Sequence, residues 1–185
     1  MSTARPRATR RSRGPERLLP FACIVSALVL LASEFMTTFQ LVAGPIESGI
    51  PLCNLEGVDR HHYALVVIAG FAVIAVLVAV LGASRPAAVA VAIAGVLALL
   101  LFLITDLPKA NDVGSVSSTC NLAGQGFDAK AVPQAGFWLE LVGALALALS
   151  GGALAALNAD QLRALRPRRR GGSSGATPGE ARGKG

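Results

Sequence analysis

Four long apolar stretches, at residues 18–42, 63–83, 87–105 and 135–157, constrain this chain more than anything else in it. Each is long enough to cross a bilayer, because about 30 Å of hydrocarbon at about 1.5 Å per helical residue needs roughly 17–25 residues. Only two ionisable residues, Glu34 and Glu140, lie well inside these stretches. The backbone of a lipid-exposed segment must satisfy its own hydrogen bonds, which favours helices. The sequence therefore predicts an all-α membrane protein, a four-transmembrane-helix bundle. Composition agrees: the 185 residues are 53% hydrophobic and 15% charged, against about 25% charged in an ordinary soluble domain.

The formal net charge of +6 invites a nucleic-acid reading, but its distribution points elsewhere. Fourteen basic residues lie before the first span, in the turn at Arg85, or after the fourth span. Only Arg60, Lys109 and Lys130 lie in the two longer loops, 43–62 and 106–134. The positive-inside rule then places both termini in the cytoplasm and both long loops outside, in a multi-pass protein of the cell membrane. No aromatic stacking platform accompanies the arginines, so nucleic acid is not an expected partner. The expected partners are the bilayer itself, anionic lipids met by the basic tails, and a second copy or another membrane protein.

Residues 1–16 and 159–185 are polar and rich in Arg, Gly, Ser and Pro, and they are expected to be disordered tails flanking a membrane domain at 17–158. The first apolar stretch exceeds the ~7–15 residues of a signal-peptide core. Leu41 also occupies the −3 position of the nearest cleavage-like site, so the stretch is read as a retained span. Gly82 and Pro86 suit a helix end and a helix start, which makes spans two and three an antiparallel hairpin.

The two intramembrane carboxylates are the main site candidates. Projected at 100° per residue, Gly136, Glu140, Ala144, Ala148 and Gly152 share a row, with Gly143 and Gly151 beside it. Trp138, Val142, Leu145 and Leu149 lie opposite. Small residues let helices approach closely, so Glu140 is expected to face protein. On the first span, Glu34 shares a face with Cys23, Ala27, Leu30, Thr37 and Thr38. Glu34 should lie about nine residues below the outer boundary, or roughly 13 Å at the helical rise. Asp106 could add a carboxylate at the mouth, or terminate the third helix. No Lys, Arg or His lies inside the spans to neutralise these groups, so at least one of Glu34 and Glu140 is expected to be uncharged at neutral pH.

The pentapeptide CNLEG at 53–57 returns as CNLAG at 120–124. Both cysteines fall in the outer loops, and Cys23 lies inside the first span. A disulfide between Cys53 and Cys120 is therefore expected, stapling the loops on the oxidising side. A redox pair, as in four-helix membrane thiol oxidants, would need paired cysteines within a loop, and this chain has one per loop. His61 and His62 are adjacent, unlike helical metal ligands at i, i+3 or i, i+4. The alternative is a loop metal site with Glu56 and Asp59 nearby; the pair is read instead as interfacial, flanking Tyr63, and no metal, cofactor or catalytic residue is expected.

The DLP after the third span and GFWLELVGA opening the fourth resemble uncharacterised bacterial four-helix membrane proteins. That resemblance implies the four-span layout and a cell-membrane location, with no activity attached. Small multidrug transporters also carry a glutamate in the first of four spans, but they are shorter and lack outer cysteines. Claudin-type proteins have a cysteine-stapled outer region, and their W…GLW…C…C signature is absent here. The leading expectation is a non-enzymatic structural, interaction or accessory protein. The alternative is a small proton- or cation-coupled transporter or channel using Glu34 and Glu140.

Overall fold

The computed structural model describes residues 15–43, 50–110, 113–115 and 128–165. Four helices in it are long and apolar enough to cross a membrane: α1 (Leu19–Glu34), α3 (Ala64–Gly82), α4 (Arg85–Thr105) and α5 (Ala135–Ala155). Between α1 and α3 lie strands β1 (Thr37–Ala43) and β2 (Ile50–Glu56) and the short helix α2 (Gly57–His61). Between α4 and α5 lie β3 (Val113–Ser115) and β4 (Asp128–Pro133), and α6 (Ala159–Leu165) follows α5. Each long helix packs on two others, giving the cyclic order α1–α3–α4–α5.

Small residues set the helix spacing. The buried faces of α3 and α4 are mostly small, with Ala69, Ala72, Ala75 and Ala79 beside Leu65 and Val76, and Ala88, Ala94, Gly95 and Ala98 beside Val91 and Phe102. Without a hydrophobic drive between helices in lipid, such faces gain their attraction from close backbone packing. The α3–α4 turn is two residues long. Ala83 takes a left-handed conformation at φ 48°, and Ser84 Oγ accepts a hydrogen bond from the Ala87 N–H at 3.5 Å. Pro86 sits in the first turn of α4, where its missing N–H leaves no bond unmade.

The all-α expectation holds for the bundle but not for the end that carries the long loops, where a four-stranded antiparallel sheet in the order β2-β1-β4-β3 forms a cap. This corrects the first span as well. The helix stops at Glu34, and Thr37 and Thr38, read as helical, begin β1. The local cause is the run TTFQLVA, whose β-branched and aromatic residues favour strand. Pairing on both edges then fixes it: Leu41 faces Cys53 of β2 on one side and Ala131 of β4 on the other. Consequently Glu34 is the last residue of its helix, at the junction with the cap, rather than deep within a span.

An aromatic layer joins cap to bundle. Phe39 of β1, Phe102 of α4 and Phe137 of α5 are all buried, with ring centroids 5.5 Å apart for Phe39–Phe137 and 4.8 Å for Phe102–Phe137. At the other end, α6 occupies part of the segment read as a disordered tail. Asn158 starts it by accepting from the Leu162 N–H, and Leu162 is fully buried in the main core. That buried leucine supplies the apolar anchor which the rest of the tail lacks. The remainder of both tails, and Cys120 with its expected bridge, lie outside the described residues.

Candidate functional site

The sequence places Asp106 at the end of a helix, and there the α4 backbone closes. The Asp106 N–H donates to Phe102 O at 2.9 Å, and its own carbonyl accepts from Lys109 and Ala110 at 3.1 Å each. The side chain is thereby aimed under the cap, with 0% exposure. Helix α2 approaches from the opposite side. Its Glu56 N–H is held by Asp59 Oδ2 at 3.4 Å, and Gly57 lies so close to α1 that a Cβ there would come within 2.8 Å of Glu34 Cα. This contact turns Arg60 and His61 inward. His62 and Tyr63, which follow at φ 49° and 67°, are left-handed and exposed.

Arg60 and His61 meet Asp106 from different directions. Arg60 Nη2 lies 2.7 Å from Asp106 Oδ1, donates to Thr105 O at 2.9 Å, and its guanidinium carbon stands 4.5 Å over the Phe39 ring. His61 Nε2 lies 2.9 Å from Asp106 Oδ2 and 3.5 Å from Glu140 Oε2. Thr105 Oγ1 donates to Leu101 O and stands 3.2 Å from Asp106 Oδ2. Burial by itself would lower the His61 pKa. Its close contacts with the Asp106 and Glu140 carboxylates, and their charges, outweigh this and push it up to about 9.

The structure brings together some of the residues expected from sequence and separates others. Glu140 and Asp106 converge on one imidazole, with Glu140 on the small-residue face of α5 as the projection indicates. Glu34 is fully buried beside them and feels the charges of His61 and Asp106, but it stands outside the tight triad. Thr38 is buried on β1, and Thr37 is half-buried at the start of that strand. Neither Thr shares a helical face with Glu34. Cys53 lies on β2 within the cap.

Two functional residues were missed. The sequence finds no cation inside the spans, yet Arg60 and His61 reach the carboxylates from a loop. The reading of His61 as interfacial is corrected by its side chain, which is 1% exposed. Pairing with the cap fixes α2 there, and no local periodicity encodes that. Among the described residues, six buried polar atoms lack a well-formed hydrogen bond: both oxygens of Glu34, Thr38 Oγ1, His61 Nε2, Asp106 Oδ1 and Glu140 Oε1. For His61 and Asp106 the ion-pair contacts above partly compensate. For Glu34 the Tyr63 backbone and the charge of His61 do so in part, and for Glu140 the neighbouring Asp106 and His61 side chains do.

The chain matches no family model, no curated protein and no solved structure.

Proposed function

We propose that this is a small cation-coupled membrane protein, a carrier or channel of the cell membrane with the cap outside and both termini in the cytoplasm. The orientation rests on the fourteen basic residues at the termini and the Arg85 turn against three in the cap loops. The observation that carries the function is the imbalance of buried acids and bases. Three buried carboxyl groups, Glu34, Asp106 and Glu140, gather around two basic side chains, Arg60 and His61, so the cluster holds one acid more than it has basic partners. Ionisable groups buried in or at the ends of apolar spans are costly, and by default they point to a functional site such as an ion path. The two glutamates would take up the cation, and Arg60 would hold Asp106 in place.

The test is flux in liposomes. Wild-type protein is expected to dissipate an imposed pH or metal-ion gradient, and the Glu34→Gln/Glu140→Gln double variant to lose at least about tenfold in rate. Equal flux from both, or none from either, would remove the carrier reading.

A second reading, a non-enzymatic structural, interaction or accessory protein, has one observation in its favour. Glycines at the α4–α5 interface pack backbone on backbone, Gly95 against Ala148 and Gly151 against Ala92, which suits a dry and rigid bundle. In both readings the cap is proposed to be stapled by Cys53 and Cys120. Cys23 is free but fully buried inside α1, which leaves these two of the chain's three cysteines. In the chain-entropy picture a loop of this length, about 67 residues, contributes roughly 4 kcal/mol. A membrane-impermeant maleimide should modify neither residue until the protein is reduced. Labelling of either without reduction would refute the bridge.

A further inference from the structure

We propose that His61, Asp106 and Glu140 form a binding site for one divalent transition-metal ion under the cap. The proposal narrows the cation of the preceding reading and rests on the same cluster, but it stands or falls on separate observations.

The donor atoms come from three different elements and converge. His61 Nε2 at the end of α2, a carboxylate oxygen of Asp106 at the end of α4, and one of Glu140 on α5 all lie within 4.8 Å of one another. Two of the separations, 2.9 Å and 3.5 Å, bracket the roughly 3.4 Å edge of a tetrahedron of ligands about 2.0–2.2 Å from a zinc ion. All three residues are buried, and their positions are set by backbone. Asp106 follows the last turn of α4, Glu140 lies within α5, and His61 is fixed by the packing of Gly57 on α1.

The independent observation lies beside the triad. Glu34 is fully buried, and among the described residues neither of its carboxylate oxygens has a well-formed hydrogen bond, the Tyr63 backbone being its nearest polar contact; Glu140 Oε1 and Thr38 Oγ1 lack one too. A buried polar group without a partner costs about 1–3 kcal/mol, and more when it is charged. A divalent cation at the triad adds a second positive charge to the one that His61 alone can bring to these carboxylates. The neighbours fit a metal site as well. Arg60 engages Asp106 Oδ1 and leaves Oδ2 facing His61, the outer contact that orients a ligating carboxylate.

Charge and donor type select the ion. With a neutral imidazole as ligand, three carboxylates and one guanidinium leave two negative charges, which a divalent ion cancels and a monovalent ion does not. One imidazole with carboxylates suits Zn²⁺ or Mn²⁺. The absence of a thiolate at the site disfavours Cu⁺, and the imidazole disfavours Mg²⁺ and Ca²⁺.

The experiment is equilibrium dialysis of the untagged, full-length protein in detergent against Zn²⁺, with metal quantified by mass spectrometry and Mg²⁺ present in large excess. Wild type is expected to hold one Zn²⁺ per chain. Co²⁺ in its place should give the intense visible absorption of a low-symmetry site. His61→Gln and Glu140→Gln should each weaken Zn²⁺ binding by more than about 100-fold, beyond the roughly 10–100-fold attached to outer-shell partners. Their folding is checked by size exclusion and thermal unfolding. Absence of stoichiometric Zn²⁺ in wild type, or binding that both variants retain, would overturn the site. Zn²⁺ binding without flux would sink the carrier reading alone, and flux without metal binding would sink this site alone.

Discussion

Asp106→Ala is expected to be the most damaging single substitution near the cap, lowering stability by about 3–5 kcal/mol, the loss typical when one partner of a buried ion pair is removed. Asp106 is the carboxylate that both Arg60 and His61 touch, at 2.7 Å and 2.9 Å, and it has no exposure to water. Without it, Arg60 keeps among the described residues the Thr105 carbonyl, the Phe39 face and the more distant charge of Glu140, too little to balance a buried guanidinium. Domains commonly have only 5–15 kcal/mol of total stability, so the variant should unfold in detergent well below wild type. Asp106→Asn keeps the shape and loses the charge, and should fall between them. The double variant Arg60→Leu/Asp106→Leu should recover much of the loss, because the guanidinium and its main counter-charge are then removed together. A stable Asp106→Ala protein would show that Arg60 and His61 find other counter-charges, and the electrostatic account of the cap would fail.

The second large effect is steric. A Cβ on Gly95 would stand 2.4 Å from the Ala148 nitrogen and 2.6 Å from its Cα. Those are backbone atoms of α5 and cannot rotate away, so Gly95→Ala must push two helices apart along their most extensive interface. Overpacking costs typically 1–3 kcal/mol, and with backbone on both sides the upper end, about 3 kcal/mol, is expected in thermal unfolding. Gly70 supplies the control. Nothing lies within 4 Å of its Cβ position, so Gly70→Ala should leave the melting temperature unchanged or slightly higher. If the two alanine variants behave alike, α4 and α5 are not held at the spacing described.

The buried face of α5 was legible because one helix obeys one period. Gly136, Glu140, Gly143, Ala144 and Gly151 turn inward, and Trp138, Val142, Leu145 and Leu149 turn out, as a 100° projection requires, although Gly152 of the same row is exposed and Phe137, Leu147 and Leu154 are buried as well. The end of α1 was not legible by the same means. Phe35 to Val42 continues the apolar run almost without a break, and hydropathy does not distinguish a helix in lipid from a strand pressed against an aromatic layer. Thr37 and Thr38 carried the only local hint. The charge partners of the carboxylates were hidden for a different reason. Arg60 meets Thr105 and Asp106 through a fold that brings two separate loops together, and residues so far apart in the chain share no periodicity.

The strand order β2-β1-β4-β3 has a consequence for how the chain is made. Strand β1 leaves the ribosome early and can pair at once with β2, its hairpin neighbour. Its other edge waits for β4, as in the pairing of Phe39 with Pro133, and β4 is synthesised only after α3 and α4. Throughout the insertion of those two helices the half-built cap presents an open strand edge, the kind of surface that invites wrong pairing. Arrival of β4 closes that edge and brings α5 directly behind it. A chain arrested after α4 would keep the edge exposed, so β4 pairing marks, at the membrane surface, a protein whose last span is ready to enter.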